Sequence, residues 1–234
     1  NSNAGKLFLV IDLKTGNVIK EFSGLPGMDY SFTASPAAVD TNFDGYIDKV
    51  YIGDLKGQMW VFDVAFIKDQ NENWKSESRW NGKRLFTPPT GEKHSIYYPP
   101  AVAFDRYRKP WVYFGTGDRE YPKDITNPAE RFYAIRDDGV GNYPRTEADS
   151  PPSLTNVTSS NTFNPTSTKG WYIQLKKESD RLEKVLARPA IFNRLVYFTT
   201  YTYSEASNPC QVAGDAKLYM VEYLSGGGAF EVDD

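Results

Sequence analysis

The chain has 234 residues, of which 40% are hydrophobic and 15% aromatic, and its 27 basic and 30 acidic side chains give a net charge of −3. This balance provides no basic field for nucleic acid or an anionic membrane surface. No apolar run approaches the roughly 20 residues that a membrane-spanning helix needs. Cys210 is the single cysteine, which excludes an internal disulfide and leaves open whether it is free or bonded to a residue outside the chain.

The predicted elements are short strands throughout. Runs of Val, Ile, Tyr, Phe and Trp alternate with Gly, Pro, Asn and Asp, and no long stretch has helical periodicity, so the sequence predicts an all-β protein. The first pair of strands is expected at residues 6–12 and, after a tight turn, within residues 14–19. It resembles the second half of a unit that recurs along the rest of the chain.

That unit is a phrase of three parts, each of which predicts one strand. The first part is found at residues 35–39, 98–102 and 187–191, the second at 50–53, 112–115 and 196–199, and the third at 58–63, 131–136 and 217–222. Residues 84–86 and 171–175 are candidates for a fourth, outer strand. Successive antiparallel strands of this kind are typical of a β-propeller blade.

The repeat predicts a single β-propeller domain over residues 1–234, modified and incomplete as a ring. It has a partial blade at 5–23 and blades at about 31–90, 96–176 and 182–232. Because closed propellers use about four to eight blades, we expect the chain to be a fragment of a larger protein. Two insertions, residues 118–130 and 138–169, are predicted to be surface loops, the second partly mobile.

The motif with the clearest chemistry is an EF-hand-like loop at residues 40–48, which reads D-x-N-x-D-G-x-x-D. Oxygen side chains at alternate positions around Gly45 are typical of a calcium site. The position of the closing EF-hand glutamate is taken by Tyr51 in an apolar run, so the loop is expected to join strands rather than helices. The predicted ligands are the side chains of Asp40, Asn42, Asp44 and Asp48 and the backbone carbonyl of Tyr46.

These motifs, in this order, resemble the C-terminal β-propeller domain of the PilY1 family of type IV pilus biogenesis and tip adhesin proteins. The resemblance begins at Ser35-Pro36-Ala37 and the oxygen-rich loop and continues through residues 50–63, 114–117 and 170–173. It extends through residues 196–201 to 208–210 and 217–219, and so covers nearly the whole chain.

The resemblance implies one calcium ion, Ca2+, held by the five residues named above. It also implies display at the cell surface, in the fimbrium or associated with the outer membrane, and control of pilus extension, retraction, twitching motility and cell adhesion through calcium occupancy. Pilus components such as minor pilins at the tip, and surface ligands, are the implied partners. No catalytic residue or organic cofactor site is expected.

Alternatives stay open at this point. Trp-rich propellers also form quinone-dependent (PQQ-like) dehydrogenases, although those usually need a complete ring around the cofactor. A carbohydrate- or matrix-binding surface propeller would stack sugars on Trp60, Trp111 and Trp171, which more commonly pack between blades. His94 is the only histidine, and we expect it to lie exposed in a loop rather than to serve catalysis.

Overall fold

A computed structural model of the protein describes residues 5–65, 67–68, 74–75, 80–140, 143–147, 153–159, 168–205 and 214–228. Within these ranges all regular structure is β-strand, and there is no helix that could cross a membrane. Cys210 lies outside the described residues. In chain order the strands are β1 (Leu7–Ile11), β2 (Val18–Ser23), β3 (Ala37–Val39), β4 (Lys49–Gly53), β5 (Met59–Asp63), β6 (Ile67–Lys68), β7 (Trp74–Lys75), β8 (Asn81–Phe86), β9 (Ala101–Phe104), β10 (Pro110–Gly115), β11 (Arg131–Arg136), β12 (Thr155–Asn156), β13 (Gly170–Gln174), β14 (Glu183–Val185), β15 (Ala190–Phe192), β16 (Leu195–Thr202) and β17 (Asp215–Glu222).

The strands form a series of small antiparallel sheets. The first is the hairpin β1–β2, and the second has the order β3-β4-β5-β8. In the third, β9-β10-β11-β13, the short strand β12 adds parallel to the outer edge of β13. In the fourth, β16 pairs with β17 along its whole length and with β14 and β15 at its two halves. The strands lie where the repeated phrase predicts them, and the outer strands β8 and β13 are confirmed.

The apolar runs are needed because the central strands are covered on both faces. Side chains alternate across a strand, so Trp111 and Tyr113 of β10 pack towards the fourth sheet, while Val112 and Phe114 pack towards the second. The three core clusters of the described residues lie between neighbouring sheets in this way. Burying each such side chain contributes about 1.5 to 3 kcal/mol, so the sheets are joined mainly by apolar burial.

Aromatic rings dominate these joints. Phe132 of β11 stacks on Phe198 of β16 with ring centroids 3.8 Å apart, and Phe86 of β8 lies 4.5 Å from Tyr133 of β11. The three tryptophans Trp60, Trp111 and Trp171 are at most 1% exposed. Their expected role in packing between blades is therefore confirmed, and they offer no open platform for a sugar.

In the first two copies of the repeat, the second strand ends at a position where the connector to the next sheet passes close to the backbone. A Cβ added at Gly53 would lie 2.3 Å from Ile96, and one added at Gly115 would lie 2.3 Å from Val185. Both distances are too short for real atoms, so glycine is required where the following connector crosses the strand. The third copy of the phrase has Thr199 at this position, and its side chain is exposed.

The insertion at residues 138–169 is more than a surface loop, which corrects the expectation from its composition. Leu154 and Val157 are 3% and 6% exposed and belong to the core clusters on either side of the third sheet. Arg145 is buried and forms a parallel bridge with Phe86 at the end of β8. The apolar residues of the insertion are too few and too widely spaced to show a strand or helix period.

Candidate metal centre

The oxygen-rich loop connects two neighbouring strands of the second sheet. Val39, the last residue of β3, pairs with Lys49, the first residue of β4. The backbone N–H of Asp48 donates to the carbonyl of Val39 at 3.0 Å, which closes the loop at its base. The expectation that the loop joins strands is confirmed.

Asp40 organises the first half of the loop. Its carboxylate accepts the backbone N–H groups of Phe43 at 2.6 Å and Gly45 at 2.7 Å. Slight burial acts to raise the pKa of Asp40, but the N–H groups of Gly45, Phe43 and Asp44 outweigh it and hold the pKa below its ordinary value. Phe43 and Gly45 both have left-handed backbones, with φ of 64° and 92°, and Phe43 adopts this conformation at a cost that the surrounding bonds must offset.

Asp48 ties the end of the loop back to its start. Its buried carboxylate accepts the backbone N–H and the hydroxyl of Thr41 at 2.8 Å and 2.7 Å. The amide nitrogen of Asn42 lies 3.1 Å from an oxygen of Asp44 and 3.5 Å from an oxygen of Asp48. The side chain of Asn42 therefore lies within 3.5 Å of two other predicted ligands, Asp44 and Asp48.

The side chain of Asp40 is not hydrogen-bonded to the side chains of that group. Its carboxylate accepts the backbone N–H groups of residues 43–45 instead. Tyr46, whose predicted ligand is the backbone carbonyl, borders an apolar groove beside β1. Nowhere in the described part of the chain do three His, Cys, Asp or Glu side chains converge where a metal ion could sit. The donor chemistry fits calcium, since all five groups are hard oxygens, and the calcium site stays a prediction.

The loop also contacts the next sheet. The ring centroid of Phe43 lies 5.1 Å from that of Phe104, at the end of β9, and the guanidinium of Arg108 lies 5.3 Å from the Phe43 ring. Phe104 ends β9, and Arg108 lies in the turn between β9 and β10. This turn occupies the place in the third sheet that the oxygen-rich loop occupies in the second.

A buried carboxylate anchors the strand that follows the loop. Asp137 accepts from the Lys49 ammonium at 2.6 Å and from the Tyr51 hydroxyl at 2.9 Å, through the same oxygen. Burial acts to raise the pKa of Asp137, but the charge of Lys49 and these hydrogen bonds hold it below its ordinary value. The sequence analysis missed this join because the partners are 88 and 86 residues apart.

His94 is fully buried, so the expectation of an exposed loop histidine is wrong. Its Nδ1 lies 2.8 Å from Glu130 and its Nε2 lies 2.7 Å from Glu92, which also accepts from Arg131 at 2.8 Å. Burial acts to lower the pKa of His94, but the hydrogen bond and charge of Glu130 outweigh it and raise the pKa. The cluster fastens the connector between the second and third sheets, and it has no nucleophile in reach of the histidine among the described contacts.

This architecture, with its chain order of motifs, can be compared with known proteins. The sequence profile of the PilY1 beta-propeller domain matches residues 1–156, about two thirds of the chain. The chain belongs to the PilY1 β-propeller family. The expected family resemblance is therefore confirmed.

Two PilY1 relatives cover almost the whole chain. The type IV pilus biogenesis factor PilY1 homolog of Xylella fastidiosa is 27% identical over 265 residues, covering 98% of this chain and 17% of the relative. The type IV pilus biogenesis factor PilY1 of Pseudomonas aeruginosa is 26% identical over 267 residues, covering 94% of this chain and 23% of the relative. The chain thus spans about a fifth of the length of these relatives.

The crystal structure of the Pseudomonas aeruginosa PilY1 C-terminal domain is similar in fold. It superposes with a TM-score of 0.61 over 94% of this chain and 53% of that one, at 20% sequence identity. With the family match, this confirms an all-β, propeller-type fold for this PilY1 family member.

Proposed function

We propose that residues 40–48 of this PilY1 propeller bind one calcium ion, and that occupancy of the loop controls how the propeller engages pilus components. The observation that carries the proposal is the contact of Phe43, in the middle of the loop, with Phe104 and Arg108 of the next sheet. A conformational change in the loop would therefore act directly on the next blade through these contacts. The oxygen-only donor set is the further support.

A bound calcium ion would offset the mutual repulsion of the three loop carboxylates. The chain's own residues supply the remaining parts of the switch. Gly45 provides the left-handed bend around which Asp40, Asn42 and Asp44 would turn inwards to reach the ion. Lys49, pinned by Asp137, holds the downstream end of the loop fixed while the upstream end rearranges.

In the whole protein we propose a non-enzymatic role at the cell surface, in or beside the fimbrium and associated with the outer membrane. The propeller would contact minor pilins or other components of the pilus tip and so influence pilus extension, retraction, twitching and surface attachment. Both relatives are named as type IV pilus biogenesis factors, which supports this proposal. Because the chain spans only 17% and 23% of these relatives, the roles are proposed for a protein of their full length.

Calorimetric titration of calcium into chelator-treated protein tests the proposed site. We expect single-site binding, and no detectable heat with Asp40→Ala or Asp44→Ala. Asp12→Ala is a matched control, because Asp12 is also an exposed carboxylate that caps its own turn, through the N–H groups of Lys14 and Thr15. Calcium binding that survives both loop substitutions would remove the proposed mechanism.

The pilus role needs the full-length protein. Under saturating calcium, cells that produce the full-length protein with Asp44→Ala should differ from wild-type cells in pilus retraction and twitching. Cells that produce the Asp12→Ala variant should retract and twitch like wild type. If Asp44→Ala abolished calcium binding and left retraction and pilus-component binding identical, the loop would be a structural site and the regulatory proposal would fail.

A further inference from the structure

A second candidate site lies between the third and fourth sheets, on the far side of the turn that Phe43 contacts. The turn between β9 and β10, the turn between β15 and β16, and the segment after β17 enclose a cavity of about 640 Å³. This volume falls in the range of about 300 to 1,000 Å³ that is usual for small-molecule and side-chain pockets. We call it the arginine cavity, and its principal lining residues are Arg106, Arg136, Arg194, Tyr107, Trp111 and Tyr223.

The three arginines come from three separate elements. Arg136, at the end of β11, binds Asp105 at 2.8 Å through Nη2, while its buried Nε has no hydrogen-bond partner among the described residues. Arg106 lies 4.6 Å from the ring of Tyr107. Arg194 is held at the β15–β16 turn by a left-handed backbone, with φ of 63°.

Arg194 is the arginine of the cavity whose guanidinium is available to bind a ligand. Its side chain is exposed, and within the described ranges its guanidinium forms no ion pair or hydrogen bond. Its charge acts on the neighbouring Tyr223 hydroxyl, where burial raises the pKa and Arg194 opposes that rise. An arginine in this position presents its fork of donors to whatever enters the cavity.

The two carboxylates that line the cavity, those of Asp105 and Glu222, already accept hydrogen bonds from the backbone of their own turns. Asp105 accepts the N–H groups of Tyr107 and Lys109 at 2.8 Å and 2.9 Å, besides Arg136. Glu222 accepts the N–H groups of Leu224 and Ser225 at 2.9 Å and 2.6 Å. The cavity therefore offers more donors than acceptors, beside a wall of aromatic and aliphatic side chains.

We propose that the arginine cavity binds an acidic peptide segment of a partner protein. One carboxylate would bond to Arg194, and a neighbouring apolar side chain would pack on Tyr223 and Leu224. Asp105 and Glu222 at the same cavity oppose a densely charged polyanion, as does the overall charge of −3. Trp111 is 1% exposed, so its ring is not open for stacking on a sugar.

The arginine cavity shares no residue with the proposed calcium loop. Peptide binding here goes beyond the function proposed above, and the two can fail independently. Calcium titration reports on the loop alone, whereas the experiment below reports on the cavity with calcium held constant.

Fluorescence polarisation with a short synthetic peptide tests the site. The probe is fluorescein-labelled Gly-Ser-Asp-Phe-Asp-Glu amide, and its counterpart has Asn and Gln in place of the acids. We expect saturable binding of the acidic peptide, and affinity lower by roughly ten- to a hundred-fold for the neutral peptide and for Arg194→Gln, as for loss of a charge-assisted hydrogen bond. Arg194→Lys, which keeps the charge, should lose less than Arg194→Gln.

Arg119→Gln is the matched control, because Arg119 is also exposed but lies beyond the opposite end of β10. It should bind the acidic peptide like wild type. Arg194 makes no described side-chain contact that holds the fold, so thermal unfolding of Arg194→Gln should match wild type. No saturable binding, equal binding of the neutral peptide, equal loss in Arg119→Gln, or displacement by inorganic phosphate more readily than by unlabelled peptide would each overturn the proposal.

Discussion

The ring of Phe43 lies 5.1 Å from the ring of Phe104, and this contact joins the oxygen-rich loop of the second sheet to the β9–β10 turn of the third. The same turn carries Asp105, Arg106 and Tyr107, which line the arginine cavity on its other side. The proposed calcium loop and the proposed peptide site therefore lie on two sides of one turn. A rearrangement of Phe43 would therefore affect the calcium loop directly and the arginine cavity through the β9–β10 turn.

The first prediction concerns this contact. On calcium addition, wild-type protein should show slower amide hydrogen exchange in residues 104–109, because ordering of the loop fixes the Phe43 ring against Phe104. Phe43→Ala should abolish that protection and cost about 0.5 to 1.5 kcal/mol of stability from the lost ring pair. Phe192→Ala is the control, since Phe192 is 74% exposed at the end of β15 in the fourth sheet. Equal protection in Phe43→Ala would show that the contact transmits nothing.

The second prediction separates backbone strain from ion binding at Gly45. Gly45 and Gly16 have φ of 92° and 74°, and a Cβ at either would meet no atom within 4 Å. Alanine at each should cost about 1 to 2 kcal/mol of stability through the left-handed conformation alone. Only Gly45→Ala should also weaken calcium binding in calorimetry. Similar calcium affinity in both variants would mean that the bend at Gly45 is not needed to aim the ligands.

The third prediction is a pH dependence of stability from His94. Burial acts to lower the pKa of His94, but the hydrogen bond and charge of Glu130, together with the hydrogen bond to Glu92, raise it by more. The pKa of His94 in the folded protein therefore lies above the ordinary value of 6.5. Arg131, whose Nη1 lies 2.8 Å from Nε2, opposes this rise. The stabilising contribution of the charged histidine is therefore fully present below pH 6.5 and is lost as pH rises through the folded pKa.

Urea unfolding across this pH range checks the assignment. The free energy of unfolding of wild type should fall as pH rises above 6.5, and His94→Gln should remove most of that slope. At low pH the substitution should cost about 3 to 5 kcal/mol, because it leaves Glu130 buried without its charged partner. An unchanged slope in His94→Gln would assign the pH dependence to another group.

The fourth prediction tests the role of glycine between sheets. Gly115→Ala should destabilise the protein by about 1 to 3 kcal/mol, since the new methyl group would overlap Val185. Thr199→Ala, at the equivalent position of the fourth sheet, should change stability by less than about 0.5 kcal/mol because its side chain is exposed. Thermal or urea unfolding measures both, and equal effects would disprove the close approach at Gly115.

The sequence predicts local structure well and long-range contacts poorly. The phrase that ends in Gly53 and Gly115 predicts its strands correctly, because alternating apolar residues and turns are local signals. The burial of His94 depends on Glu130, 36 residues later in the chain, and no local pattern marks it. The arginine cavity is formed by turns from two different copies of the repeat, so Arg106 and Arg194 gave no sign in the sequence that they would meet.

The two-residue strand β12 has a consequence for self-association of this protein. Thr155 and Asn156 pair with Trp171 and Tyr172 along the outer edge of β13, and Thr158 adds a bond to the backbone of Gln174 at 2.8 Å. An uncovered sheet edge is a template for pairing with strands of other molecules. The insertion thus covers part of the outer edge of the third sheet, and we expect that shortening it would expose this edge and lower the solubility of the protein.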